Sequence, residues 1–171
     1  MLNLRSIILP LIGLILLIGC GTEPVTYTLG VTPSPPEGGT VTPTNEVYQE
    51  GEEIQLLATP SEGWRFVDWD GDWSTSDNPT SVIMNKNYTI KGNFTKRDYP
   101  LNIEIIGEGT VEEEIISQKT TDYPYGTIVR LTPIPNQDWV FDGWSGEVTD
   151  ENDVIELTID KETNIKVTFL P

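Results

Sequence analysis

One aromatic sequence frame occurs twice in this chain of 171 residues. The pattern W-x-F-x-x-W-x-G spans Trp64–Gly71 and returns at Trp139–Gly146, 75 residues later. In a strand, the first Trp and the Phe point to the same face because successive side chains alternate. The Gly that ends each frame favours a turn, since glycine adopts backbone conformations closed to other residues. We therefore predict that each frame anchors the core of one small β domain.

The similarity between the two halves extends well beyond the aromatic frame. Gly51–Phe94 and Gly126–Phe169 align without a gap, and length differences are confined to earlier loops. Apolar residues alternate with polar ones in both copies, and no stretch has helical periodicity. The pattern predicts an all-β (mainly β) chain with domains at residues 27–95 and 99–171, joined by a linker at 96–98. Because the linker is short and polar, we expect separately folded domains with little contact between them.

The matched aromatic residues are predicted to belong to the core of each domain. Trp64 and Phe66 recur as Trp139 and Phe141, whereas the residue between them changes from Arg65 to Val140. A position that fills a core is less free to change than one that faces solvent. We expect the four matched rings to be core residues rather than ligand platforms.

The last part of the first copy predicts a hairpin. Val82–Met84 and Tyr88–Phe94 are apolar-rich and flank the turn residues Asn85–Asn87. Two short β-rich runs around such a turn are typical of paired antiparallel strands. We expect these two strands to pair with each other and close the domain.

The start of the chain has the pattern of a secretory signal. Arg5 is followed by the apolar run Ile7–Ile18, which is too short to cross a bilayer as a helix. The small residue Gly19 directly precedes Cys20, the one cysteine of the chain, as in a bacterial lipobox. The alternative is an ordinary signal peptide in which Cys20 stands by chance.

We predict that residues 1–19 are a lipoprotein signal peptide and that Cys20 carries acyl chains such as palmitate. More than one chain is needed for stable anchoring. Residues 20–26 then form a short tether. Gly21 rather than Asp follows the cysteine, which in the lipoprotein sorting pattern indicates the outer membrane. The expected location is therefore the bacterial cell envelope, with a lipid anchor in the outer membrane.

Composition excludes several classes of function. The chain carries 27 acidic and 10 basic residues, a formal net charge of −17, and no histidine. An acidic surface repels the phosphates of nucleic acid, so no nucleic-acid partner is expected. The commonest near-neutral base and metal ligand is missing, and domains of roughly 70 residues leave little room for a deep cleft. We predict that the protein is not an enzyme and uses no cofactor.

Several anchors in fixed order carry a family resemblance. Each copy has a glycine-rich turn (Gly39–Val41 and Gly109–Val111), the aromatic frame and a final segment like Asn87–Phe94. Together they resemble the internalin-type B-repeat in its divergent bacterial form. The second copy is the closer match, because the first has Asp68 where the family tends to have Gly. The resemblance implies a small mixed β-sheet of β-grasp-like character, found in arrays on secreted and surface-anchored bacterial proteins, with no catalytic residues to transfer.

An acidic run in the first copy is a weak candidate for metal binding. Asp68, Asp70 and Asp72 alternate as D-x-D-G-D, and hard cations such as Ca²⁺ prefer clustered carboxylates. The spacing differs from that of an EF-hand loop, and a solvated acidic loop explains the same residues. We therefore predict no metal site.

Trp73 is the candidate ligand-binding residue, because the other four tryptophans occupy matched positions and Trp73 does not. Its match in the second copy is Val148. Aromatic faces stack on sugar rings, so a carbohydrate-binding accessory lipoprotein is the alternative function. The preferred hypothesis is a non-catalytic cell-envelope lipoprotein for adhesion, partner binding or surface spacing. Its expected partners are the membrane, through the lipid anchor, and an unknown protein or glycan.

Overall fold

The computed structural model describes residues 23–115 and 122–171. The predicted signal peptide and Cys20 lie outside the described residues, as does most of the predicted tether. Within the described part, the chain forms fifteen β-strands and one short 3-10 turn at Pro36–Gly38. The prediction of an all-β fold with two tandem domains is confirmed.

The first repeat contains seven strands in two sheets. They are β1 (Thr26–Ser34), β2 (Gly39–Thr42), β3 (Asn45–Gln49), β4 (Glu53–Pro60), β5 (Trp64–Gly71), β6 (Thr80–Ile83) and β7 (Tyr88–Lys96). One sheet has the order β3-β1-β7-β5, in which β1 and β7 are parallel and the other pairs are antiparallel. The other is the antiparallel sheet β2-β4-β6. The first sheet is therefore mixed, as the resemblance implies.

The second repeat has the same plan. Its strands are β8 (Asp98–Tyr99), β9 (Leu101–Ile106), β10 (Gly109–Ile115), β11 (Tyr123–Pro124), β12 (Thr127–Pro135), β13 (Val140–Gly146), β14 (Ile155–Ile159) and β15 (Thr163–Leu170). The sheet β13-β15-β9 corresponds to β5-β7-β1, and β10-β12-β14 corresponds to β2-β4-β6. The short pair β8-β11 corresponds to the start of the β1-β3 pair, so Tyr99 faces Tyr123 as Tyr27 faces Tyr48.

The predicted hairpin at the end of the first copy is wrong. β6 pairs with β4, whereas β7 pairs with β1 and β5 in the other sheet. Asn85–Asn87 therefore carries the chain from one sheet to the other rather than reversing it within a sheet. Sequence alone cannot separate these cases, because both place two apolar strands around a turn. The crossing lets alternate residues of both strands enter one core, where Val82 and Ile90 are fully buried.

Each repeat has its own core, built from residues of both of its sheets. The first contains Leu29, Leu56, Trp69, Val82 and Ile90, among others. The second contains Val129, Leu131, Trp144, Val167 and Phe169, among others.

The most deeply buried tryptophan of each aromatic frame is the second one. Trp69 is 1% exposed and Trp144 is 2% exposed. Trp64, Phe66, Trp139 and Phe141 are partly buried and pack against the two cores, so they line the core without being its centre.

A β-bulge explains this arrangement. The pairing register shifts between Phe66 and Asp68, and again between Phe141 and Gly143. The extra residue changes the alternation of side chains, so the second Trp faces the same side as the Phe three residues earlier. Phe66 and Trp69 accordingly have ring centroids 5.3 Å apart, and Phe141 and Trp144 have centroids 5.8 Å apart.

The two repeats contact each other where β7 leads into β8. Lys96 ends β7 and Asp98 begins β8, which leaves Arg97 alone between the strands. The Arg97 backbone N–H donates to the carbonyl oxygen of Gly63 at 2.8 Å, and its own carbonyl accepts from the backbone N–H of Tyr125 at 2.8 Å. The expectation of little contact between the domains is therefore wrong, because one linker residue is bonded to both repeats.

Residues 23–115 and 122–171 contain no helix with the length and apolar character needed to cross a bilayer.

Candidate functional site

An acidic side chain closes each repeat at the end of the aromatic frame. In the first repeat, Asp72 Oδ2 accepts from the backbone N–H of Thr89 at 2.8 Å, and Oδ1 lies 3.3 Å from Lys86 Nζ. The Asp72 backbone N–H in turn donates to the Thr89 carbonyl at 3.0 Å. We call this arrangement the acid–lysine clasp. It ties the loop after β5 to the start of β7.

The second repeat contains the same clasp with Glu in place of Asp. Glu147 Oε2 accepts from the backbone N–H of Asn164 at 2.7 Å, and Oε1 lies 2.9 Å from Lys161 Nζ. The backbone bond from Glu147 N–H to the Asn164 carbonyl is also present, at 3.1 Å. All three residues stand 75 positions after their counterparts in the first repeat. The clasp is therefore part of the repeated framework.

Hydrogen bonding in the clasp favours the ionised acids. The backbone N–H of Thr89 and then Lys86 lower the pKa of Asp72 below its ordinary value. Asn164 N–H and Lys161 lower the pKa of Glu147 in the same way. The pKa of Lys161 is raised by its bond to Glu147. Because both ion pairs are exposed, the charge attraction itself contributes little to stability.

The three candidate metal ligands have separate structural surroundings. Asp72 is engaged in the clasp, and Asp68 Oδ1 accepts from the side-chain amide of Asn93 at 2.7 Å. Asp70 is exposed and faces Lys91 on β7. Within the described ranges, no three His, Cys, Asp or Glu side chains are grouped so that they could hold a metal ion.

The pair Asp68–Asn93 also accounts for the departure of the first copy from the family pattern. The matched positions in the second copy are Gly143 and Thr168, which face each other in the same register. The first copy therefore has a hydrogen-bonded Asp and Asn at the β-bulge, where the second copy has Gly and Thr.

Trp73 packs against the first core. It is partly buried and lies among the side chains that cover the buried cluster, as its match Val148 does in the second repeat. Its indole nitrogen is buried and has no hydrogen-bond partner among the described residues. Buried indole N–H groups usually find an acceptor. The packing explains why an apolar residue stands at this position in both repeats.

Two open grooves lie at corresponding places on the two repeats. Each has a volume of about 400 Å³ and follows the parallel strand pair, β1 with β7 or β9 with β15. The first groove is lined by Gly30, Asn45 and Thr89, among others. In the second groove Asn102 and Asn164 lie at the wall, and the Asn102 amide donates to Asn164 at 2.9 Å. Each repeat therefore has the groove at the same place, but the polar side chains that line it differ between the two repeats.

Sequence reasoning missed two features of this surface. It missed the acid–lysine clasp, for which the signal was the pair Lys86 and Lys161, which stand 75 positions apart. It also missed the contact between the repeats, for which the signal was the change from Gly63 to Asp138 at matched positions.

These features define a tandem all-β repeat protein in which each repeat has its own core and its own acid–lysine clasp. The chain belongs to the divergent InlB B-repeat domain family, whose family model matches residues 27–98 and again residues 99–171. No curated protein and no solved structure matches the chain.

Proposed function

We propose that the protein is a non-catalytic lipoprotein of the bacterial cell envelope that holds two B-repeats close to a membrane and offers their surface to a partner. In this proposal Cys20 carries the acyl chains in the outer membrane. β1 begins at Thr26, and the residues between them span at most about 20 Å when extended. The first repeat is then held next to the membrane.

The observation that carries the non-catalytic part is the acid–lysine clasp. Asp72 and Glu147 are the acids that recur at the end of the frame, and each is bonded to a backbone N–H and a lysine of its own repeat. A catalytic acid or base must be free to exchange a proton with a substrate. The pKa of both acids is lowered by these hydrogen bonds, which favours the ionised form and fits a structural role.

In this proposal the partner binds in the two grooves. Their position is common to both repeats, whereas their side chains differ, for example Gly30 in the first and Asn102 in the second. A framework that keeps its core and varies its surface is typical of binding modules, because contact residues then change without cost to the fold.

The anchor is tested on the full chain and its Cys20→Ser variant, expressed in a bacterium fed with labelled palmitate. We expect the parent chain to incorporate label and to remain in the membrane fraction in high salt. The variant is expected to lose the label and leave that fraction. A Cys20→Ser chain that still fractionates with membranes in high salt would refute the lipid anchor.

Partner class is tested with a glycan and polysaccharide array probed with the full chain. The proposal predicts no saturable binding that depends on Trp73. Saturable sugar binding that is lost in Trp73→Ala, while the near-UV circular dichroism is unchanged, would instead establish the carbohydrate-binding alternative.

A further inference from the structure

The residue type at one matched position, Gly63 in the first repeat and Asp138 in the second, is explained by the contact between the repeats. Gly63 and Asp138 stand at the same point before the aromatic frame, and both have positive φ angles, +74° and +65°. Asp and Asn adopt this left-handed conformation more readily than most other residues with side chains. Backbone geometry therefore does not require glycine at position 63, since Asp138 satisfies the same geometry.

The neighbouring repeat supplies the reason. The ring of Tyr125, from the second repeat, lies directly against the Cα of Gly63, so that a Cβ at Gly63 would overlap the ring atoms. Gly63 is buried and Tyr125 is partly buried, whereas Asp138 is exposed. A side chain at position 63 would displace the tyrosine.

Tyr125 also differs from its match in the first repeat. That match is Glu50, which is exposed. The backbone around the two residues is the same: Tyr125 N–H donates to the Arg97 carbonyl at 2.8 Å, and Glu50 N–H donates to the Val25 carbonyl at 2.9 Å. The turn itself therefore does not need a tyrosine, and the ring is explained by what it contacts in the first repeat.

Arg97 secures the same junction through its backbone and its side chain. Its backbone N–H continues the pairing of β5 with β7 by donating to Gly63, and its Nε donates to the Trp64 carbonyl at 3.1 Å. Three hydrogen bonds therefore hold the one residue that separates the strands. Such a segment has fewer open conformations than a free polar linker.

We propose that Tyr125 and Gly63 form a ring-and-socket contact that fixes the orientation of the two repeats, so that they act as one rigid unit. Glu50 and Asp138 occupy the corresponding positions on the two outer faces of this unit. We further infer that they prevent another repeat from packing there. A repeat that packed against the first repeat on its outer face would contact Glu50 where the ring-and-socket contact has a tyrosine. A repeat that packed against the outer face of the second repeat would contact Asp138 where that contact has a glycine. Stacking of a second copy end to end would bring these two acids together, which opposes the contact.

The orientation is tested by distance measurements between spin labels in the full chain. Gln55→Cys and Thr158→Cys place one label on an exposed strand position of each repeat, and Cys20→Ser removes the native thiol. We expect one narrow distance distribution for this chain. In the same background, Gly63→Asp or Tyr125→Glu should at least double the width of the distribution.

Both substitutions introduce the residue that the other repeat already has at the matched position, which makes them compatible with the local fold. Backbone amide spectra of each variant test whether both repeats remain folded. Asp138→Gly is the matched control, and it should leave the distribution unchanged. If Gly63→Asp and Tyr125→Glu both fold and both keep the narrow distribution, the contact does not fix the orientation.

The closing role of the two acids has a separate test. The double variant Glu50→Tyr with Asp138→Gly creates a ring at one end of the unit and a socket at the other. We expect its sedimentation coefficient to rise with concentration more steeply than that of the parent chain. If the two chains show the same concentration dependence, the outer acids do not prevent stacking.

Discussion

Replacement of Trp144 should remove most of the stability of the second repeat. The ring is 2% exposed, lies 5.8 Å from the Phe141 ring, and donates its indole N–H to the Asp153 carbonyl at 3.3 Å. Truncation of a buried Trp to Ala costs about 3–5 kcal/mol. Trp144 should lie at the upper end of that range, because its loss also leaves the Asp153 carbonyl without this donor.

The effect of this loss depends on the total free energy of unfolding of the second repeat. At about 0.05–0.15 kcal/mol per residue, a domain of roughly 70 residues has about 4–10 kcal/mol in all. Trp144→Ala therefore removes half or more of that stability. Trp139, which is partly buried and covers Gly107, is expected to cost less, below about 3 kcal/mol on truncation.

Urea titration of the full chain, followed by backbone amide NMR, separates the two repeats. Signals from the second repeat should be lost at a much lower urea concentration in Trp144→Ala than in Trp139→Ala. The first repeat should lose far less stability in either variant, because its core is separate. An equal or larger effect of Trp139→Ala would show that the β-bulge does not set which ring is central.

Two further predictions concern the clasp and Trp73. Because the folded-state pKa of Glu147 lies below its ordinary value of 4.5, its stabilising contribution is complete above pH 4.5 and is lost as the pH falls through the lowered pKa. The urea midpoint of the second repeat should therefore fall on acidification below pH 4.5, and Glu147→Gln should show a smaller fall; an equal fall in both chains would contradict the clasp. Trp73→Phe should change the free energy of unfolding by no more than about 1 kcal/mol, because the lost ring volume is offset by removal of an unpartnered N–H. Trp69→Phe should cost clearly more, since Trp69 is fully buried and donates to the Asp77 carbonyl at 3.1 Å. Calorimetry of the two variants tests this order, and a larger loss for Trp73→Phe would overturn it.

The candidate site was only partly predictable from sequence. The D-x-D-G-D run showed that acids cluster near the end of the frame, but the cluster alone does not show which atoms these acids contact. The role of Asp72 depends on Thr89 and Lys86, which reach it only when β5 and β7 pair. Lys86 and Lys161 also stand 75 positions apart, but that match does not show which carboxylate each lysine meets.

The sequence by itself determined that the chain is all-β and built twice. Alternation of apolar residues is a local property, because each side chain of a strand faces the core or solvent according to its own position. The gap-free match of Gly51–Phe94 with Gly126–Phe169 then required the same strands to form twice.

Tertiary structure decided the features that depend on residues far apart in the chain. The bulge that turns Trp69 into the core arises from the pairing of β5 with β7, and strict alternation along one strand could not reveal it. The partners of β6 and β7 likewise depend on which sheet each strand joins. Gly63 shows the same limit most clearly. Its φ angle is also adopted by Asp138, so the residue type at position 63 follows from a tyrosine 62 positions later, which reaches it only when the two repeats pack together.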